Sequence, residues 1–199
     1  MKAVWMRSMM MLGLGVAVLA TQAAAQEEGP LPSPAAMVQQ VVGTEPITIT
    51  YHSPGVKNRV IWGELVPYGE VWRAGANAKT TIEFGADVQV NGKPIAAGKY
   101  GLQILPSETP WELIFSNTPD GHPMQRDAAN DVAAVTVAPT DAAMRERLAY
   151  SFDNMTDTSA NIILHWEKKA AALEVSVGGG APSFEGPAGE VFEVVSAAT

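Results

Sequence analysis

The 199-residue chain contains no cysteine. That excludes a disulfide framework, a Cys-ligated zinc or iron–sulfur centre and a thiol nucleophile, and it leaves nothing for lipoprotein acylation. Positive charge is scarce: 13 Lys and Arg stand against 21 Asp and Glu, a net charge of -8. Nucleic-acid binding wants a basic face, so no nucleic-acid partner is expected. Charged residues are only 17% of the chain and hydrophobic ones 47%, the composition of a folded domain. Helical periodicity is nearly missing. Only Thr140 to Arg147 carries a pattern that one or two helical turns would satisfy. No apolar run beyond the first 25 residues approaches membrane-span length, so no membrane insertion is expected.

What is present begins with a processing signal. Lys2 and Arg7 form a positive n-region, Met9 to Ala20 is apolar, and Ala23-Ala24-Ala25 supplies the small residues of a cleavage site. Residues 1–25 are therefore expected to be a signal peptide cut after Ala25, placing the product in the periplasm or outside the cell. Cleavage would leave 174 residues and, with two cations gone, a net charge of -10. Residues 26–36 are polar and Pro-rich and read as a leader.

From residue 37 a period of two takes over. Met37 to Val42 and Ile47 to Tyr51 read as strands joined by a turn at Gly43-Thr44-Glu45, and Pro54 ends the second because proline cannot donate to a ladder. Ile82 and Phe84 mark another strand. Val88-Gln89-Val90 runs into Asn91-Gly92, a strong hairpin signal, since both turn positions need positive φ. Alternation recurs around Leu102, Leu113, Val135, Tyr150 and Leu164, and again at Leu173, with Glu167-Lys168-Lys169 separating the last two. Roughly eight to ten short strands predict an all-β, antiparallel β-sandwich or flattened barrel over residues 37–177. Gly178-Gly179-Gly180 opens an acidic tail, 178–199, expected to be flexible, with an added edge strand through Val191 to Val195 as the alternative.

Residues 52–79 do not fit this alternation. A connection of that length inside a compact domain tends to be functional or partly structured. Trp62, Tyr68 and Trp72 lie in it, flanked by Tyr51 and Phe84, and it holds Lys57, Arg59, Arg73 and Lys79 against only Glu64 and Glu70. A basic, aromatic-rich stretch on an acidic body suits an anion or a sugar: arginine offers a planar fork, and tryptophan and tyrosine offer flat faces. The same stretch resembles a bacterial family known as domain of unknown function 2911. Its motifs are Tyr51 to Arg59 (YHSPGVKNR), Ile61 to Asn77 (IWGELVPYGEVWRAGAN), Val90 to Leu102 (VNGKPIAAGKYGL), Trp111 to Phe115 (WELIF) and Leu164 to Glu167 (LHWE). The resemblance covers roughly residues 35–177 and implies export and a β-rich fold, with no established activity.

Each candidate side chain has a bland reading beside a functional one. Trp62, Tyr68 and Trp72 either plug the core or face a ligand, and Arg59 and Arg73 either pair with Glu64, Glu70 or Glu83 or hold an anion. Lys57 and Lys79 are expected to be solvated. His52, His122 and His165 show no metal-ligand spacing, so neither metal nor cofactor is expected. Ser53 lacks a Gly-x-Ser-x-Gly elbow. The leading expectation is a binding or accessory module of the cell envelope for a small anionic or carbohydrate ligand, contacted by Tyr51, His52, Ser53, Lys57, Arg59, Trp62, Tyr68, Trp72, Arg73 and Asn77. The alternative is a hydrolase-type enzyme using the same 51–79 cleft. Oligomeric state is left open.

Overall fold

A computed structural model describes residues 31–178, 184–185 and 191–192. The expected signal peptide and most of the expected tail lie outside these residues. The described chain forms β1 (Ala35–Val42), β2 (Glu45–His52), β3 (Thr80–Phe84), β4 (Val88–Val90), β5 (Lys93–Ile95), β6 (Gly98–Leu105), β7 (Trp111–Ser116), β8 (Asp131–Val137), β9 (Thr140–Asp153), β10 (Ser159–Val177), β11 (Phe184–Glu185) and β12 (Val191–Phe192). Six strands make one sheet in the order β1-β2-β3-β6-β7-β8, and four make a second in the order β5-β4-β10-β9. All pairings are antiparallel. This is the expected all-β sandwich, and it is not a closed barrel. Among the described residues β11 pairs only with β12. Among the described residues no helix is long and apolar enough to cross a membrane.

The alternation read from the sequence places the core. Ile47, Ile49, Ile82, Phe84, Leu102, Ile104, Leu113 and Phe115 are buried on the first sheet, and Val90, Leu148, Tyr150, Ile162, Leu164, Leu173 and Val175 on the second. Two turns set the registers. Asn91 (φ 47°) and Gly92 (φ 75°) form the two-residue loop of the β4–β5 hairpin. Gly43 (φ 65°) turns β1 into β2, and a Cβ there would lie 2.5 Å from Val177 Cγ2, so both conformation and space demand glycine.

Three expectations change. Thr140 to Arg147 is not helical: it is the first half of β9, paired to β10 through Asp141–Lys169 and Arg145–Glu167. A helix of one or two turns has no stability of its own, whereas a β10 edge offers a partner for each second residue. Glu167-Lys168-Lys169 does not separate a pair of strands, because β10 runs unbroken for 19 residues. Glu167 sits instead at φ 55° in a β-bulge, with register shifts on both sides. Finally, β1 begins at Ala35, inside the expected leader. The residues before it are tied down: Arg147 Nη1 donates to Pro32 O at 2.9 Å, Asn77 Nδ2 to Ser33 O at 3.1 Å, and Ser53 N–H to Pro34 O at 2.9 Å.

Candidate functional site

Residues 53–79 form a strap between the sheets. It first lies along the edge of β9: Gly55 bridges Arg147, Val56 N–H donates to Glu146 O at 2.8 Å, and Leu148 N–H donates to Pro54 O at 3.0 Å. It ends along β6, where Trp72 and Ile104 exchange backbone hydrogen bonds of 2.7 and 2.8 Å. The strap therefore runs from an edge strand of one sheet to an interior strand of the other. Val56, Ile61, Val66 and Trp72 anchor it by burial. Ala74 takes the left-handed conformation at φ 55°, which costs an L-residue about 1–2 kcal/mol. Two buried donors hold its carbonyl, Tyr150 Oη at 2.8 Å and Thr80 Oγ1 at 3.0 Å. Burial keeps the Tyr150 hydroxyl protonated well above its ordinary range, with Tyr51 adding to the shift.

The strap brings tryptophans together. Trp62 and Trp72 come from the strap, Trp111 from β7 and Trp166 from β10. Ring centroids are 4.4 Å apart for Trp62–Trp111, 5.7 Å for Trp62–Trp72 and 6.0 Å for Trp62–Trp166. Trp72 and Trp166 stack at 5.9 Å with planes 17° apart. Every tryptophan beyond the expected signal peptide is in this cluster. Trp72 Nε1 donates to Gly75 O at 3.1 Å, whereas Trp62 Nε1 and Trp166 Nε1 are buried with no hydrogen-bond partner among the described residues.

Against this cluster lies a cleft of 180 Å³, lined by Trp72 and Trp166, by the apolar Pro54, Leu65, Val66 and Met124, and by Arg59 and Arg73. Arg59 donates from Nε to Val56 O at 3.1 Å and from Nη2 to Gly55 O at 2.6 Å. Arg73 donates from Nη1 to Asn77 O at 3.3 Å, and its Nε is buried without a partner among the described residues. Among the described residues neither guanidinium is paired with a carboxylate, so of the two alternatives the pairing with Glu64, Glu70 or Glu83 is not made. Backbone carbonyls orient both groups without neutralising them, so each keeps N–H donors and its full charge.

The cleft thus gathers Arg59, Trp72 and Arg73 of the expected site, and Trp62 supports it from behind. The others serve elsewhere. Tyr51 is buried against Tyr150 at 4.9 Å. Ser53 is buried, and its hydroxyl donates to Leu148 O at 2.7 Å, a bond that fixes the strap to β9 and engages its one proton. His52 ends β2 half-buried. Lys57 is exposed at φ 49°, Tyr68 is exposed, and Asn77, at φ 55°, binds Ser33 O. Lys79 departs from expectation: it is buried, and its Nζ donates to Thr118 O at 3.1 Å. Sequence reasoning missed Trp166 and Met124 as cleft residues. Trp166 alternates like any core position, and nothing local marks Met124.

Among the described residues no group of three or more His, Asp and Glu converges as metal ligands. His122 Nδ1 accepts from Met124 N–H at 3.2 Å, and His165 Nε2 lies 2.8 Å from Ala143 O.

Residues 33–175, which include the whole strap and all four clustered tryptophans, match the family described as "Protein of unknown function (DUF2911)". The chain belongs to that family. No curated protein and no solved structure matches it. The family segment begins at the residue that Asn77 binds and ends two residues short of the end of β10, so it includes the tied-down approach to β1 as well as both sheets.

Proposed function

We propose that this DUF2911 protein is an exported binding module for a small anionic ligand, held in the strap cleft by Arg59 and Arg73. One observation carries the reading: two guanidinium groups line a single small cleft of an acidic protein, and among the described residues no carboxylate neutralises either. A planar anion such as a carboxylate suits the arginine fork, and the Trp, Leu, Val and Met lining suits an apolar remainder. At 180 Å³ the cleft is smaller than the about 300–1,000 Å³ of pockets that take drug-sized ligands, so the ligand is small. A stacked sugar is less well served. Trp72 is only 5% exposed and Trp166 1%, and a sugar platform needs an open ring face. The hydrolase alternative gains nothing from Ser53, whose hydroxyl is bound to a backbone carbonyl.

The test is calorimetric titration of the secreted protein with short-chain carboxylates, inorganic phosphate and monosaccharides, repeated on Arg59→Ala and Arg73→Ala. Carboxylate or phosphate binding that both variants lose, at an unchanged melting temperature, is the expected result. Binding that survives both substitutions overturns the assignment, as does binding of monosaccharides alone.

A further inference from the structure

A second site lies on the outer face of the six-stranded sheet and shares no lining residue with the strap cleft. Here β6 and β7 bury polar groups on the side away from the core: Gln103 is 1% exposed and Ser116 3%. They are covered by the β7–β8 loop, residues 117–130. Gln103 Nε2 donates to Pro123 O at 2.8 Å and to Gln125 O at 3.1 Å, which pins the loop over the sheet. Beside Gln103 lies Lys79, just before β3, and with the loop it borders a cavity of 390 Å³ lined also by Thr118, Gly121, His122, Gln125, Arg126, Asp127 and Asn130.

Room has been made for this lysine. A Cβ on Gly101 would lie 2.7 Å from Lys79 Cδ, and one on Gly121 would lie 3.2 Å from Lys79 Nζ. Any larger residue at 101 would push the stem aside, so the lysine lies across the sheet in a track cleared by two glycines. Among the described residues its Nζ has one protein acceptor, Thr118 O, and no carboxylate within ion-pair distance. Of the acids nearby, Asp131 binds Arg126 through Oδ2 at 2.7 Å, while its Oδ1 is buried with no hydrogen-bond partner among the described residues and makes no ion pair with Nζ; the two oxygens of Asp127 accept from Ala129 N–H and Asn130 Nδ2. Burial pushes the Lys79 ammonium below its ordinary value, against the opposing pull of the Asp131 charge. An amine that is buried, under-partnered and next to a cavity is the arrangement in which lysine acts as a nucleophile toward carbonyl carbon.

We propose that Lys79 is a covalent capture site for a small polar aldehyde or ketone entering the cavity beneath the 117–130 loop. The unprotonated Nζ adds its lone pair to the carbonyl carbon, and the C=O π pair becomes an oxygen lone pair. A proton passes from nitrogen to that oxygen, giving a carbinolamine. Loss of one water then leaves the imine, and addition of water reverses every step. No oxidant or reductant is needed. His122 lines the same cavity and is suited to the proton transfers. Its Nδ1 accepts from Met124 N–H, so the neutral ring carries its proton on Nε2. Thr118, Gln125 and Asn130 supply hydroxyl and amide groups for a polar ligand.

The experiment traps the imine. The secreted protein is incubated at neutral pH with glycolaldehyde and sodium cyanoborohydride, whose hydride reduces the imine carbon to a stable secondary amine. Peptide mass mapping then follows each lysine over time. The expected result is an adduct on Lys79 that forms several-fold faster than on Lys57, Lys93, Lys99, Lys168 or Lys169. That preference should disappear in concentrated guanidinium chloride, and a Lys79→Arg variant should lose the fast adduct while its other lysines react as before. Uniform labelling of the folded protein overturns the proposal. So does a preference for Lys79 that survives denaturation, because it would come from local sequence and not from the cavity.

Discussion

The strap of residues 53–79 and the loop of residues 117–130 both lack regular strand structure. They are held by opposite means. The strap buries Val56, Ile61, Val66, Trp72 and Ala74, and its indoles pack against Trp111 and Trp166. The loop buries no residue of its own. It is held by polar side chains, Lys79 from the end of the strap to Thr118 O and Gln103 of β6 to Pro123 O and Gln125 O. Apolar anchoring scales with the area removed from water, whereas each hydrogen bond contributes only about 0.5–1.5 kcal/mol net. The strap should therefore open only with global unfolding and the loop well below it. A preformed cleft belongs on the first kind of segment and an access route on the second.

The sharpest break of this comparison is Trp72→Ala. It removes a buried indole, its stacking on Trp166 and its bond to Gly75 O, and should cost about 3–5 kcal/mol in denaturant unfolding. A loss under about 1 kcal/mol would mean that backbone bonds, not packing, hold the strap. The corresponding break in the loop is Gln103→Leu. Two carbonyls lose a buried donor, and the expected cost is about 1–3 kcal/mol, at the lower end because the loop is exposed enough for water to replace it. Hydrogen exchange should rise across 117–130 and stay unchanged across 53–79. Equal rises in both segments would show that they open together.

Alkaline titration probes the strap through Tyr150, whose Oη donates to Ala74 O at 2.8 Å. Its hydroxyl is raised by burial above the ordinary value. Between the unfolded and folded values the unfolded chain has already released its proton and the native chain has not, so stability falls as pH rises. The contribution is complete below about pH 10 and is lost above it. Tyr150→Phe should lower stability at neutral pH by about 0.5–1.5 kcal/mol and flatten the alkaline decline. Thr80 Oγ1 still serves Ala74 O in that variant, which keeps the neutral-pH cost small. A decline of undiminished slope would assign the alkaline transition to other groups.

Sequence legibility differed between the same two regions. The strap stood out because an aromatic, basic run interrupted a period of two, and Arg59, Trp72 and Arg73 do meet in one cleft. What the chain could not show locally was what arrives from afar. Trp166 lies 94 positions after Trp72, and its alternation is that of an ordinary core residue. Lys79 read as a surface cation because its cover comes from a loop about 40 positions later and its space from a glycine on β6. Thr140 to Arg147 misled for a related reason: its weak helical pattern is overridden by pairing with β10, a partner beyond any local window. The sequence left open whether the arginines pair with carboxylates, since their backbone-carbonyl partners leave no trace in composition.

The smallest expected effect on stability, and the largest on binding, belongs to Arg59→Ala and Arg73→Ala. Both side chains bond to backbone carbonyls of their own strap within four positions, so removing them relaxes local geometry without opening the tryptophan cluster. Each should shift unfolding by no more than about 1 kcal/mol. Arg73→Ala also removes a cleft cation whose Nε is buried without a partner among the described residues, which is itself unfavourable, so its net cost should be the lower of the two. If anchoring and recognition are separate properties of the strap, Trp72→Ala melts it and the arginine variants only blind it. An Arg73→Ala variant as unstable as Trp72→Ala would join the two properties, because the guanidinium would then be holding the fold and not waiting for an anion.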